Sequence, residues 1–115
     1  MRVTTEIFVS ALIRRVFGEG GFAAVLRRGA AEAGAVFIVT RNRAGEATLY
    51  GPAPQAAYAP DSAGGRLFAP VGEKLDQQSL DERLAREQRF DSDIWVVELE
   101  PGSTALGDLV DITRP

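Results

Sequence analysis

Phe22-Ala-Ala-Val-Leu26, Ala35-Val-Phe-Ile-Val39 and Ala47-Thr-Leu-Tyr50 decide how this chain folds. They are short apolar runs set apart by Gly29-Ala-Ala-Glu-Ala-Gly34 and Asn42-Arg-Ala-Gly45. Such runs, bounded by glycine and asparagine, read as strands. The spacing predicts an antiparallel meander with strands over about 22–28, 35–41 and 46–50. Gly29–Gly34 closes the first hairpin and Asn42–Gly45 the second, with Gly45 suited to positive φ. The middle run is apolar on both faces, which places it centrally with both faces covered. The cover is the Pro-rich segment that follows, a second helix, or a second subunit.

Working outward, residues 4–17 read as a helix. Val3, Ile7, Phe8, Ala11, Leu12 and Val16 follow the spacing of one apolar face. Thr4 or Thr5 can cap its start, and Arg14 and Arg15 suit its C-terminus. Gly18, Gly20 and Gly21 stop it. The stretch is rich in β-branched residues, so a strand is the alternative. On the other side, residues 51–65 hold three prolines and three glycines and read as a loop, either a lid or a passive connection. Arg66-Leu-Phe-Ala69 is a short strand at an edge, because Pro70 cannot donate to a ladder. Ser79-Leu-Asp-Glu82 matches a capping box and opens a second, shorter helix to about Arg89. Ile94 to Glu100 is a last strand, with Trp95, Val97 and Leu99 on one face and Ile94, Val96, Glu98 and Glu100 on the other. The tail from about residue 101 is weakly patterned. The expected fold is α+β: an antiparallel sheet of about five strands, with helix one on one face and helix two near it, in one domain of 115 residues.

Composition narrows the chemistry more than it names it. The chain has no His and no Cys. That removes the usual general base, disulfides and thiolate metal sites, and neither a Ser-His-Asp nor a Cys-His nucleophile can be built. No catalytic residues, metal or cofactor are expected. No apolar run approaches the roughly 18 residues of a spanning helix, so a cytoplasmic protein without a membrane segment is expected. Net charge is −3, and the acidic excess lies in the second half. An acidic protein is a poor default binder of nucleic acid, since phosphate neutralisation supplies most non-specific affinity.

In a meander the loops sort to two ends about 20 Å apart at the usual strand rise of roughly 3.3 Å per residue. One end gathers Arg14, Arg15, Arg41 and Arg43 as a candidate basic patch for phosphate or an acidic partner. Their ordinary reading is dipole compensation and solvated turn charge, and no aromatic residues interleave for single-stranded nucleic acid. The other end gathers Arg27, Arg28, Glu32, Tyr50 and Gln55 beside glycine-rich turns, a candidate anion or small-ligand site. The spacing matches no phosphate loop, and the ordinary reading is a hairpin loop with Glu32 paired to an arginine. Asp91 and Asp93 read as a turn rather than a metal site. Glu98 and Glu100 mark solvent or a guarded edge, and Trp95 reads as core.

Several segments together are similar to a known family. Gly20-Gly-Phe-Ala-Ala-Val-Leu-Arg-Arg-Gly29, Glu32-Ala-Gly-Ala-Val-Phe37, Leu49-Tyr-Gly-Pro-Ala-Pro-Gln55, and Leu84-Ala-Arg-Glu-Gln-Arg-Phe-Asp91 leading into Asp93-Ile-Trp-Val-Val-Glu98 resemble domain-of-unknown-function family 1491, short proteins of alphaproteobacteria. The resemblance runs from the N-terminal helix to Glu98. It implies a bacterial, cytoplasmic, stand-alone domain and brings no activity with it. The absence of His and Cys, the apolar middle strand and the exposed-edge candidates make the expected function a non-enzymatic interaction module whose partner is another protein or itself, as a homodimer. The alternative is a small-molecule or anion binder, with or without catalysis, at Arg27, Arg28, Glu32, Tyr50 and Gln55. A third reading is RNA or ribosome association through the basic edge.

Overall fold

The structure is a computed structural model that describes residues 3–53 and 66–113. Among these residues the chain forms three helices and six strands: α1 Thr5–Gly18, β1 Phe22–Arg27, β2 Val36–Arg41, β3 Ala47–Pro52, β4 Leu67–Leu75, α2 Gln77–Phe90, β5 Trp95–Glu100, α3 Leu106–Leu109 and β6 Asp111–Ile112. The strands make one sheet in the order β1-β5-β2-β3-β4-β6. The fold is α+β as expected, but the sheet is mixed rather than antiparallel. β5 runs parallel to β2, and β6 parallel to β4; the other neighbours are antiparallel.

The main correction concerns the meander. β2 and β3 form the expected hairpin, with Ile38 opposite Tyr50 and Arg41 opposite Ala47. β1 and β2 do not pair, because β5 is inserted between them. The physical reason is the one that centred β2. Trp95, Val97 and Leu99 on one face of β5, and Ile94 and Val96 on the other, are all buried. A strand apolar on both sides needs both faces covered, and the slot beside β2 supplies that. β1 still runs antiparallel to β2 through β5, so the sorting of loops to two ends survives the error in pairing.

The helices lie on opposite faces, not side by side. Val9, Leu12 and Val16 of α1 pack with Ile38, Trp95, Val97, Leu99 and Phe68, joined by Leu109 and Val110. Leu80 of α2 packs with Phe37, Val39, Leu49, Ile94 and Val96, with Leu84 at the margin. It is α2 that covers the second face of β2. The buried face of α1 is Thr5, Val9, Leu12 and Val16, whereas Val3 and Ile7 are exposed. α2 is as long as α1, because its N-cap is Asp76 and not Ser79: Asp76 Oδ1 accepts from the Ser79 amide at 2.8 Å. β4 extends through Pro70 to Leu75, beyond the short strand expected, and its register against β3 is irregular there. The segment after Glu100 carries α3 and β6, and Leu67 and Phe68 of β4 pair with Asp111 and Ile112. Those two residues close an edge of β4 that the sequence pattern left open.

Two carboxylates at helix ends give a pH dependence. The Ser79 amide, bonded to Asp76, holds that carboxyl below its ordinary range. At the C-terminus of α1, hydroxyl hydrogen bonds from Thr104 and then Ser103 hold Glu19 down in the same way. A depressed folded pKa contributes stability that is fully present above the unfolded value, about 4, and is lost as pH falls through the lower folded value. Urea midpoints should therefore fall as pH drops below about 4. Asp76→Asn keeps a cap that does not titrate, so it should flatten that slope.

Candidate functional site

The end of the sheet that holds Arg27, Arg28, Glu32 and Tyr50 is organised around the segment 28–35. This segment is not a hairpin loop. It bridges from β1 to β2 across the start of β5, about two strand spacings of roughly 4.8 Å. The Ala30 amide donates to the Asp93 carbonyl at 3.0 Å, and Trp95 Nε1 donates to the Ala30 carbonyl at 2.7 Å. The crossing is close enough that a Cβ at Gly29 would overlap the Asp93 and Ile94 carbonyl oxygens, and one at Gly34 the Asp93 carbonyl. These glycines are needed for backbone approach, not for a ligand-binding turn. The turn that precedes β5 is of the type expected, with Asp91 Oδ1 accepting from the Asp93 amide at 2.9 Å. Trp95 is core, as read from the sequence.

The same segment occupies the N-terminus of α1. The Thr5 amide donates to the Glu32 carbonyl at 3.1 Å, and the Glu6 amide to the Ala31 carbonyl at 2.8 Å. Thr4 Oγ1 accepts from the Ile7 amide at 3.3 Å. These amides are thus satisfied internally and are not presented to an anion. The Thr5 side chain is fully buried: its hydroxyl donates to the Gly34 carbonyl at 2.8 Å and accepts from Arg66 Nη2 at 3.0 Å. Arg66 Nη2 also reaches the Val3 carbonyl at 3.2 Å, and its guanidinium lies 4.7 Å from the centre of the Phe8 ring. Thr5→Val keeps the shape but strands the Gly34 carbonyl. It should cost about 1–3 kcal/mol, read as a shift in urea midpoint.

Beside this node lies a cavity of about 590 Å³. Thr5 and Val3 of the α1 entrance, Glu32 and Val36, Ala53, and Arg66 with Phe68 contribute to its wall. Of the expected site residues that are described, only Glu32 lines it. Arg27 Nη2 donates to the Ser92 carbonyl at 2.7 Å, tying β1 to the turn after α2. Arg28 pairs with Glu6, and its guanidinium lies 4.9 Å from the Trp95 ring centre. Glu32 is exposed, and Arg28 takes Glu6 as its acid instead. Tyr50 is buried in the core beneath α1. Gln55 and most of the Pro-rich segment lie outside the described residues. Thr5 and Arg66 are central here and were missed. Thr5 carried only a capping signal, and Arg66 stands after a long irregular segment with nothing to mark it.

At the opposite end the four arginines are divided by the sheet. Arg14 and Arg15 are exposed on α1. Arg41 turns to the α2 side, where it pairs with Glu98 at 3.3 Å and donates to Gln77 Oε1 at 2.9 Å. Glu98 thus has a partner in the sheet interior rather than guarding an edge. Arg43 is exposed in the β2–β3 turn. Among the described residues no group of acidic side chains has the arrangement of a metal site. No helix among them is long and apolar enough to cross a membrane.

One further surface stands out chemically. β1 is the outermost strand and has a neighbour on one side only among the described residues. Phe22, Val25 and Leu26 on it are exposed, and so is Phe17 at the end of α1, whose ring meets that of Phe22 edge to face at 5.9 Å. Phe90, 84% exposed, stands two residues before Ser92, which Arg27 ties to the same strand. Most of the large exposed apolar side chains of the described residues are gathered along this one edge.

Comparison with known proteins agrees on the family. The model of the family described as "Protein of unknown function (DUF1491)" matches residues 3–105. The chain is similar to a protein of A. tumefaciens solved in solution, at 45% identity over 100% of this chain and 98% of that one, with a TM-score of 0.80. It is also similar to a DUF1491 family protein of Caulobacter crescentus in a crystal structure, at 33% identity over 98% and 100% of the two chains and a TM-score of 0.75. An NMR structure of a DUF1491 family protein from the same organism gives 34% identity, 98% coverage of both chains and a TM-score of 0.74. No curated protein matches the chain. The chain belongs to the DUF1491 family.

Proposed function

We propose, on the premise that the chain is a DUF1491 protein, that it is a non-enzymatic interaction module whose docking surface is the edge of β1 that no strand among the described residues covers. The supporting observation is that edge itself. An outer strand presents unpaired backbone donors and acceptors, and proteins normally guard such strands with charge, proline or brevity. Here β1 carries a bulge after Val25, but its exposed residues Phe22, Val25 and Leu26 are apolar, and Phe17 extends the apolar surface through its contact with Phe22. An extended segment of another protein chain would add its backbone to the ladder and pack apolar side chains on these residues. Val25→Asp places a charge in the middle of that edge, at an exposed position, and should change stability by no more than about 0.5 kcal/mol. With the wild-type chain and Val25→Asp as paired baits, partners held by this edge are retained by the first and lost by the second. Identical retention by both would sink the assignment.

A second reading has its own observation. The cavity beside Thr5 and Arg66 falls within the size range of small-molecule sites, about 300–1,000 Å³. Its wall mixes apolar and polar groups in similar measure, a guanidinium and a carboxylate among them, as an amphiphilic ligand would require. Native mass spectrometry of gently purified protein would show added mass under this reading. Protein at its bare mass, with no retained molecule, would count against it.

A further inference from the structure

We infer that the cavity beside Thr5 and Arg66 takes a zwitterionic peptide of two or three residues with apolar side chains. This rests on the reading of that cavity as a small-molecule site. The cavity opens where the β2–β3 ladder stops. β2 begins at Val36 and β3 runs to Pro52, yet their pairing ends at Ile38 opposite Tyr50. The next rung of that register joins Val36 to Pro52, and both line the cavity. Two hydrogen bonds fix which way these residues face, because the backbone groups of successive strand residues point to alternate sides. The Trp95 amide donates to the Ala35 carbonyl at 2.8 Å, so Ala35 faces β5 and Val36 faces β3. The Ala53 amide donates to the Leu67 carbonyl at 2.9 Å, so Ala53 faces β4 and Pro52 faces β2. The Val36 carbonyl therefore points at a residue with no N–H, and β3 has no donor to give it at that rung. Val36 is buried, where a carbonyl calls for a donor. A peptide N–H entering the cavity supplies one.

The charged groups of the wall call for both signs in one ligand. Among the described lining residues Arg66 is the cation and Glu32 the anion. Arg66 is held in place through Nη2 by the Thr5 hydroxyl and the Val3 carbonyl, with Phe8 beneath its guanidinium. A fixed planar guanidinium suits a carboxylate, which would share it with the contacts it already makes. Glu32 is positioned through its backbone, whose carbonyl accepts from the Thr5 amide. Its carboxylate has no partner among the described residues, since Arg28 pairs with Glu6. A simple carboxylic acid would meet Glu32 as a like charge, and a simple amine would meet Arg66 so; a zwitterion answers both. Val3, Leu67 and Phe68 offer apolar wall to its side chains, and about 590 Å³ suits a ligand of this size.

Titration followed by amide NMR shifts tests this with five probes: leucyl-valine, its N-acetyl form, its C-terminal amide, octanoate and octylamine. Leucyl-valine should bind, with shifts concentrated at the Val36, Ala53 and Leu67 amides. Each blocked form should bind at least about tenfold more weakly, the worth of one charge-assisted hydrogen bond. Glu32→Gln alters an exposed side chain and should leave the spectrum of the free protein folded. It should bring leucyl-valine and its N-acetyl form to within about twofold of each other, because the ammonium has then lost its partner. Equal affinity for free and blocked peptides would overturn the zwitterion. Binding of octanoate or octylamine in place of leucyl-valine would overturn the inference and leave the cavity as a site for a different small molecule. If no probe shifts the cavity amides, this inference and the cavity reading fall together.

Discussion

Trp95→Ala should lower the stability of the fold by about 3–5 kcal/mol, roughly a fifth or more of the about 5–15 kcal/mol that a domain has to lose. Three contributions meet at this side chain. It is among the largest fully buried side chains of the core, packed with α1 and the centre of the sheet. Its indole N–H is the donor that ties the Ala30 carbonyl, and hence the 28–35 bridge, to β5. Its ring also lies under the Arg28 guanidinium. Trp95→Phe separates these effects. It keeps most of the volume but removes the indole donor, leaving the Ala30 carbonyl with the Gly34 amide at 3.3 Å, so it should cost about 0.5–1.5 kcal/mol. Denaturant unfolding of the two variants reads both values. If Trp95→Ala changed the midpoint no more than Trp95→Phe does, packing at this position would be far looser than the burial indicates.

Gly29→Ala should be nearly as damaging, at about 3 kcal/mol, the upper end for overpacking. At Gly51 and Gly72 an added methyl group meets only side chains, which can give way. The one at Gly29 meets the Asp93 and Ile94 backbone oxygens, at the point where β5 enters the sheet. Relief requires lifting the bridge off β5, which also breaks the Ala30–Asp93 hydrogen bond. Gly18→Ala is the matched control in the last position of α1, with open space around its Cβ. There the loss of backbone freedom in the unfolded chain should dominate, giving about 0.5–1 kcal/mol of added stability. Thermal unfolding should show the two substitutions moving Tm in opposite directions. Equal shifts would mean that the close crossing of the bridge over β5 is absent in solution.

The central position of β2 was legible because Val36 to Val39 are apolar at every position, and only a doubly covered strand tolerates that. The position of β5 was not, although its residues carry the same message. Two-sided apolarity says that a strand is interior but not which strands flank it. Chain order then favoured the hairpin, whereas the local geometry at Gly29 and Gly34 favours a crossing. The face of α1 failed for a different reason. Val3, Ile7, Phe8, Val9, Leu12, Ile13, Val16 and Phe17 are apolar nearly all round the helix, so two faces fit the period equally well. Burial of the Thr5 hydroxyl between Gly34 and Arg66 goes with the second, and a tertiary hydrogen bond has no signature in hydrophobic spacing. Strand direction alone sorted Arg27, Arg28 and Glu32 to one end of the sheet. The contacts of the individual side chains were not legible. Arg27 and Arg28 are engaged by Ser92 and Glu6, partners that lie far from them in the chain.

The insertion of β5 between β1 and β2 also sets a timetable for synthesis. Roughly 70 residues separate β1 from the strand that pairs with it, which at about 5–20 residues per second is on the order of 4–15 s of translation. During that interval β2 and β3 can zip as a local hairpin, but β1 has no template and its apolar residues stay in water. The sheet can close only after β5 has left the ribosomal tunnel, and the bridge then locks over it. A nascent chain halted before Trp95 would carry a competent hairpin and an orphan strand, the form most in need of a holding chaperone.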